Sequence, residues 1–240
     1  AQVGFYTKAK QFKQMASDNL AGAVGGVAFP VYSKMQHNKQ RLRNGMRQFM
    51  QHSLIFLVPL IVSLIVVAEP FVILLIKEKW APMIPYLQLL CVAGILTPVH
   101  LVNVQALVAQ GKSRLSFKLS LLRNGLRIVN IIIMYPFGVI NIILGEVILS
   151  FIALAINTWF MHGLVNYGLW KQLQDIWKII AGGFLAGLIG YLPVFLSSNL
   201  WILLFSGIIL TSASFIGFQY LVNRKLLKAS IELKQYFRKI

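Results

Sequence analysis

Residues 27–47 read VAFPVYSKMQHNKQRLRNGMR, and the rest of the chain is read from this stretch. An apolar, glycine-rich run stops at Pro30. Lys34, Lys39, Arg41, Arg43 and Arg47 follow with no acidic residue among them. Residues 48–68 then carry no Lys, Arg, Asp or Glu, and a helix of that length crosses a hydrocarbon core of ~30 Å. Basic residues in a short loop between membrane-length runs are retained on the cytoplasmic side. The stretch therefore predicts an all-α integral membrane fold and sets its inner face.

Composition agrees. The 240 residues are 58% hydrophobic and 12% charged, with mean hydropathy +0.72, whereas a soluble domain carries about a quarter charged residues. A net charge of +17 would suggest nucleic acid in a soluble protein. Here the basic residues sit between apolar runs, which points to positive-inside topology and anionic lipid, with no nucleic acid partner. The single cysteine, Cys91, lies inside an apolar run, so neither a disulfide framework nor a thiolate metal site is expected. The chain starts at Ala1 without a signal-peptide pattern, and a piece of a longer protein is the expectation.

Seven spans are predicted: A over 4–29, B over 51–76, C within 81–110, D over 115–135, E over 138–162, F over 177–196 and G over 201–223. Together they form a helical lobe over residues 1–223. The tail, 224–240, holds six basic residues and one acid and reads as an amphipathic helix on the inner leaflet. Eighteen of the 23 basic residues then fall in inner segments and two in the outer turn between B and C. The other three, Lys8, Lys10 and Lys13, sit at the outer start of span A. They either line a cavity or are constrained by upstream chain. Pro70 is expected to kink or break span B. Gly22 with Gly26, and Gly183 with Gly187, stand at the GxxxG spacing that permits close helix packing.

Charges inside spans are the candidate functional residues, because they are costly in lipid and face the bundle interior or water. Asp18 lies near mid-membrane in span A. In the hairpin of D and E, Arg127 and Glu146 stand equally far from the turn at 135–138, so antiparallel helices bring them to one depth. That pair is either a polar cavity wall that switches during transport or a permanent staple of the hairpin. Arg123, one turn from Arg127 on the same face, either binds phosphate in a cavity or snorkels to headgroups. His100 is a proton-group candidate, though hydrogen-bonded packing suits a lone membrane histidine better. No catalytic motif, metal-ligand set or cofactor loop is present in the sequence, so enzyme chemistry is not expected.

Gly4-Phe5-Tyr6 with Ala9, then residues 27–36 (VAFPVYSKMQ), resemble the polysaccharide transporter family, the O-antigen and exopolysaccharide flippases of the multidrug/oligosaccharidyl-lipid/polysaccharide exporter superfamily. Glu78-Lys79-Trp80 with Pro85, Leu87 and Gln88, and residues 106–112 (ALVAQGK), fall where that family has similar signatures. The resemblance covers residues 1 to about 127. It implies one lobe of a two-lobe exporter, corresponding to the C-terminal half and needing an N-terminal lobe or partner half. It further implies alternating-access flipping of undecaprenyl-pyrophosphate-linked oligosaccharide across the inner membrane, with the C-terminus cytoplasmic. Arg123 and Arg127 would bind the pyrophosphate, and Asp18 or Glu146 would couple ion movement. A drug exporter of the same superfamily, or a membrane enzyme or accessory subunit of polysaccharide assembly, are the alternatives. Counting carboxylates against arginines on the cavity wall separates these.

Overall fold

The computed structural model describes residues 2–224 with 226 and 227, leaving aside the side chains of 19–21, 23–25 and 27. The described residues form helices and no strand. The long helices are α1 (Gln2–Met35), α2 (Lys39–Val66), α6 (Ser113–Met134), α7 (Val139–Val165), α8 (Leu169–Tyr191) and α9 (Leu200–Val222). Between α2 and α6 lie the short α3 (Ala68–Phe71), then α4 (Ile84–Gly94) and α5 (Thr97–Ala109). Segment C is thus one span in two pieces, interrupted at Ile95-Leu96, with Pro98 in the first turn of α5. Proline there loses no hydrogen bond, since first-turn amides have no partner in the helix.

Seven rods correspond to the seven predicted spans. Five of them are long and apolar enough to cross a membrane by length and composition: Lys39–Val66, Glu78–Ala109, Val139–Val165, Leu169–Phe195 and Leu200–Val222. The other two, α1 and α6, carry several basic residues each, among them Lys10 and Lys13 of α1 and Arg123 and Arg127 of α6.

Three boundaries differ from expectation. First, Pro30 does not end α1, which runs on to Met35. Tyr32 is fully buried and meets Phe49 edge to face at 5.4 Å, and Gly45 leaves room for Tyr32 and Met35. That packing carries the helix through its missing donor. The basic "loop" consequently shrinks to residues 36–38, and Asn38 caps α2 by accepting from the Arg41 amide at 2.9 Å. Second, span B breaks at Val67, three residues before Pro70, because proline excludes helical hydrogen bonding upstream of itself. Third, the predicted loop 163–176 is mostly α8. Asn166 ends α7 in the left-handed region at φ 55, and Gln172 and Ile176 are buried one turn apart. The amphipathic tail reading falls outside the described residues beyond Leu227.

Two packing styles hold the rods together. On one side α8 lies against α2 and α9. A Cβ on Gly187 would stand 3.1 Å from Val62 Cγ1, and Gly183 likewise meets Val58 of α2. Gly182 and Gly190 face Phe218 and Thr211 of α9. The Gly183/Gly187 pattern is thus a packing face. The Gly22/Gly26 pattern is not one here, since a Cβ on either meets nothing within 4 Å. On the other side α6 packs on α7 with no residue buried. Asn130 donates to the Ile142 carbonyl at 3.0 Å and rests against Gly145. This register places Arg127 level with Glu146.

Candidate functional site

One polar stripe of α1 and one of α6 line a cavity of about 370 Å³. From α1 it takes Lys10, Lys13, Gln14 and Asp18, which recur at three- and four-residue spacing and so share one helix face. From α6 it takes Arg123 and Arg127, four apart. Glu146, Leu149, Ser150 and Ala153 supply the α7 wall, again at helical spacing. The broken span closes the fourth side with Leu90, Ala93, Thr97 and His100. All four residues singled out in the sequence, Asp18, Arg123, Arg127 and Glu146, lie on this one wall. Lys10 and Lys13, left open between cavity and upstream constraint, lie there too.

The charges are unequally partnered. Asp18 Oδ1 accepts from Lys13 Nζ at 2.8 Å and from Ser17 Oγ at 2.7 Å. Glu146 takes the Tyr6 hydroxyl at 3.2 Å, tying α7 to the start of α1. Among the described residues no ion pair joins Arg127 to Glu146. Both side chains instead border the same cavity. Arg123 donates through Nη2 to Ser120 Oγ at 3.1 Å, while its buried Nε has no hydrogen-bond partner among the described residues. Leaving a buried guanidinium N–H unsatisfied costs free energy that an anionic ligand would recover. His100 is in contact with Asn157 at 3.4 Å and also lines the cavity.

Away from the cavity-lining residues, a second set of polar contacts joins α2, α5 and α8. Arg47 Nε meets Asp175 Oδ1 at 2.9 Å, the Tyr167 hydroxyl donates to Asp175 Oδ2 at 2.8 Å, and Gln51 donates to the Asp175 carbonyl at 2.7 Å. Burial first, then this bond to a carboxylate, push the Tyr167 hydroxyl well above the usual phenol range, so it remains a donor. Asn103 and Gln172 exchange amide hydrogen bonds at 3.0 and 2.8 Å while fully buried. Sequence reasoning singled out neither pair. A polar residue at a buried helix position was the available signal, but the partners lie 69 residues apart. Among the described residues no group of three or more metal-ligating side chains occurs.

A family model described as "Polysaccharide biosynthesis protein" matches residues 1–85. The chain is 34% identical over 127 residues to the lipopolysaccharide biosynthesis protein WzxC of Escherichia coli K12, covering 52% of this chain and 26% of WzxC. It is 32% identical over 99 residues to the succinoglycan biosynthesis transport protein ExoT of Rhizobium meliloti, covering 41% and 20%.

Over its first half the chain is similar to the polysaccharide transporter family. Its fold is similar to that of the lipid II flippase MurJ in an inward closed conformation, with a TM-score of 0.77 at 17% identity over 94% of this chain and 48% of MurJ. The chain thus spans about half the length of that neighbour, about a quarter of WzxC and a fifth of ExoT. Its five membrane-length helices make it a multi-pass membrane protein, and these relatives carry biosynthesis, transport and flippase names.

Proposed function

We propose that this chain forms one lobe of a flippase for undecaprenyl-pyrophosphate-linked oligosaccharide, working in the inner membrane with its C-terminus cytoplasmic. The observation that supports this reading most is the wall of the 370 Å³ cavity, where Lys10, Lys13, Arg123 and Arg127 outnumber Asp18 and Glu146. A cavity with twice as many cations as carboxylates favours a polyanion over the cations expected of a drug exporter. The two arginines fit a pyrophosphate because a guanidinium binds phosphate oxygens bidentately. At mid-depth they would shield a diphosphate headgroup from lipid. Glu146, bonded to Tyr6 of α1, would couple an ion to the movement of α7 against α1. A second lobe would close the cavity and complete the path.

Complementation tests this. The full-length protein with both lobes is expressed in a strain lacking its own flippase, with Arg123→Ala and Arg127→Ala beside wild type at equal membrane levels. The expected result is loss of surface polysaccharide in both variants, with lipid-linked precursor accumulating on the inner leaflet. Full polysaccharide in both variants would return the arginines to headgroup snorkelling and remove the anion-binding argument.

A further inference from the structure

Among the basic residues of the cavity, Lys13 is held differently from the arginines. Its ammonium is engaged by Asp18 at 2.8 Å, whereas among the described residues Arg127 makes no ion pair and Arg123 keeps a buried Nε unbonded. Resting on the anion-flipping reading above, we propose that Lys13 is a third cationic ligand for the substrate's diphosphate and that Asp18 is its resting-state counter-ion.

The geometry carries this in three steps. Lys13 and Asp18 are five residues apart on one helix, beyond the three- and four-residue spacings at which helix neighbours meet. The pair exists because the Lys13 stem runs over Gly94 of α4, where an added Cβ would stand 3.2 Å from its Cε. Glycine at this position gives the stem its track. A lysine head on a four-carbon stem can then change partner by rotating side-chain bonds, with no movement of the helix.

Exposure makes the exchange feasible. The Lys13 and Asp18 side chains are 17% and 39% exposed, and both line the cavity with Arg123 and Arg127. A partly solvated ion pair holds its members weakly. A diphosphate entering between α1 and α6 presents several anionic oxygens where Asp18 presents one carboxylate that is already shared with Ser17 Oγ. Lys13 leaves for the ligand and Asp18 stays with Ser17. On release, Asp18 recaptures Lys13 and weakens the site. A transport site must bind well enough to load and loosely enough to unload, and the internal carboxylate supplies the second half of that requirement.

The test uses the purified 240-residue chain in detergent, titrated calorimetrically with inorganic pyrophosphate. Wild type, Asp18→Asn, Lys13→Met and Lys8→Met are compared, with thermal unfolding recorded for each. Lys8 removes the same charge from α1 but lies outside the cavity wall. Exchange predicts opposite shifts: Asp18→Asn tightens pyrophosphate about 10-fold and Lys13→Met weakens it about 10-fold, the scale of one charge-assisted hydrogen bond. Lys8→Met stays within about 2-fold. Asp18→Ser replaces the amide variant if that protein is not recovered. A shift in the same direction for Asp18→Asn and Lys13→Met would make the pair a structural staple and overturn the proposal. A Lys8→Met loss equal to that of Lys13→Met would replace the specific ligand by a diffuse field, with the same consequence. Failure of wild type to bind pyrophosphate at all would instead strike the function reading on which the proposal rests, and it is visible before any variant is compared.

Discussion

Helices α8 and α6 have 23 and 22 residues and are built to opposite plans. α8 buries Gly182, Gly183, Ala186 and Gly190 between α2 and α9, so its small residues bring backbones close while Phe184, Leu185 and Leu188 face outward. α6 buries nothing. Phe117, Leu121, Ile128 and Ile132 are all more than half exposed on its outer side, while Ser120, Arg123 and Asn130 make polar contacts on the other. One helix is locked into a dry bundle, and the other is a two-faced wall between lipid and a charged cavity. A membrane protein that must move needs both. Close van der Waals packing supplies a rigid frame without help from hydrophobic exclusion, and the loosely packed side leaves room for a ligand.

The comparison breaks most readily at glycine. Gly190→Leu would drive a side chain into Thr211 and toward the Gly207 carbonyl, and overpacking of this kind costs about 3 kcal/mol. Gly125 of α6 has nothing within 4 Å of an added Cβ, so Gly125→Leu should leave stability level or raise it by up to ~1 kcal/mol through helix propensity. Thermal unfolding in detergent measures both. Equal losses would mean that α6 is packed as tightly as α8.

Polar residues give the next largest contrast. Asn103→Ala leaves the fully buried Gln172 amide short of its partner and should cost about 2 kcal/mol. Arg127→Ala removes a charge that makes no ion pair among the described residues, and its unfolding should move by less than ~0.5 kcal/mol. A destabilised Arg127→Ala would show that the cavity charges serve folding.

Carboxylates sharpen the same point at smaller amplitude. Asp175→Asn weakens contacts to Arg47 and Tyr167 across α2 and the α7–α8 connection, for a loss of about 1 kcal/mol. Asp18→Asn breaks a partly solvated pair on a single helix and should change unfolding by no more than ~0.5 kcal/mol. A larger loss for Asp18 than for Asp175 would reverse the assignment of frame and cavity.

Much of the cavity side was legible in the sequence, because charge in an apolar run has few explanations. Asp18, Arg123, Arg127 and Glu146 could be named from depth and helical spacing alone. The turn at 135–138 fixed the register of α6 and α7, which the Asn130 contact with Ile142 and Gly145 reproduces. Partner choice within the cavity was not legible. Glu146 takes Tyr6, 140 residues away, and no local rule anticipates that. Boundaries failed where tertiary packing overrode a local breaker. Pro30 lost to the burial of Tyr32, and the start of α8 was hidden because Lys171 and Asp175 look like loop residues until Arg47 and the Asn103–Gln172 pair come into place. The GxxxG pairs show the limit of the pattern, since Gly183 and Gly187 meet α2 while Gly22 and Gly26 meet nothing.

The claim underlying all of this is that the α1, α6 and α7 stripes face water while their other faces meet lipid. Neighbouring positions on α7 test it directly. Ile148 is 60% exposed and is not on the cavity wall, whereas the less exposed Leu149 is. In a Cys91→Ala background, Leu149→Cys and Ile148→Cys would be treated in membranes with a charged, membrane-impermeant thiosulfonate. A thiol ionises and reacts only where it is hydrated. The account predicts that Leu149→Cys reacts at least ~10-fold faster than Ile148→Cys despite its lower exposure, because lipid suppresses the thiolate at position 148. Faster labelling of Ile148→Cys would put water on the outer face and contradict the cavity.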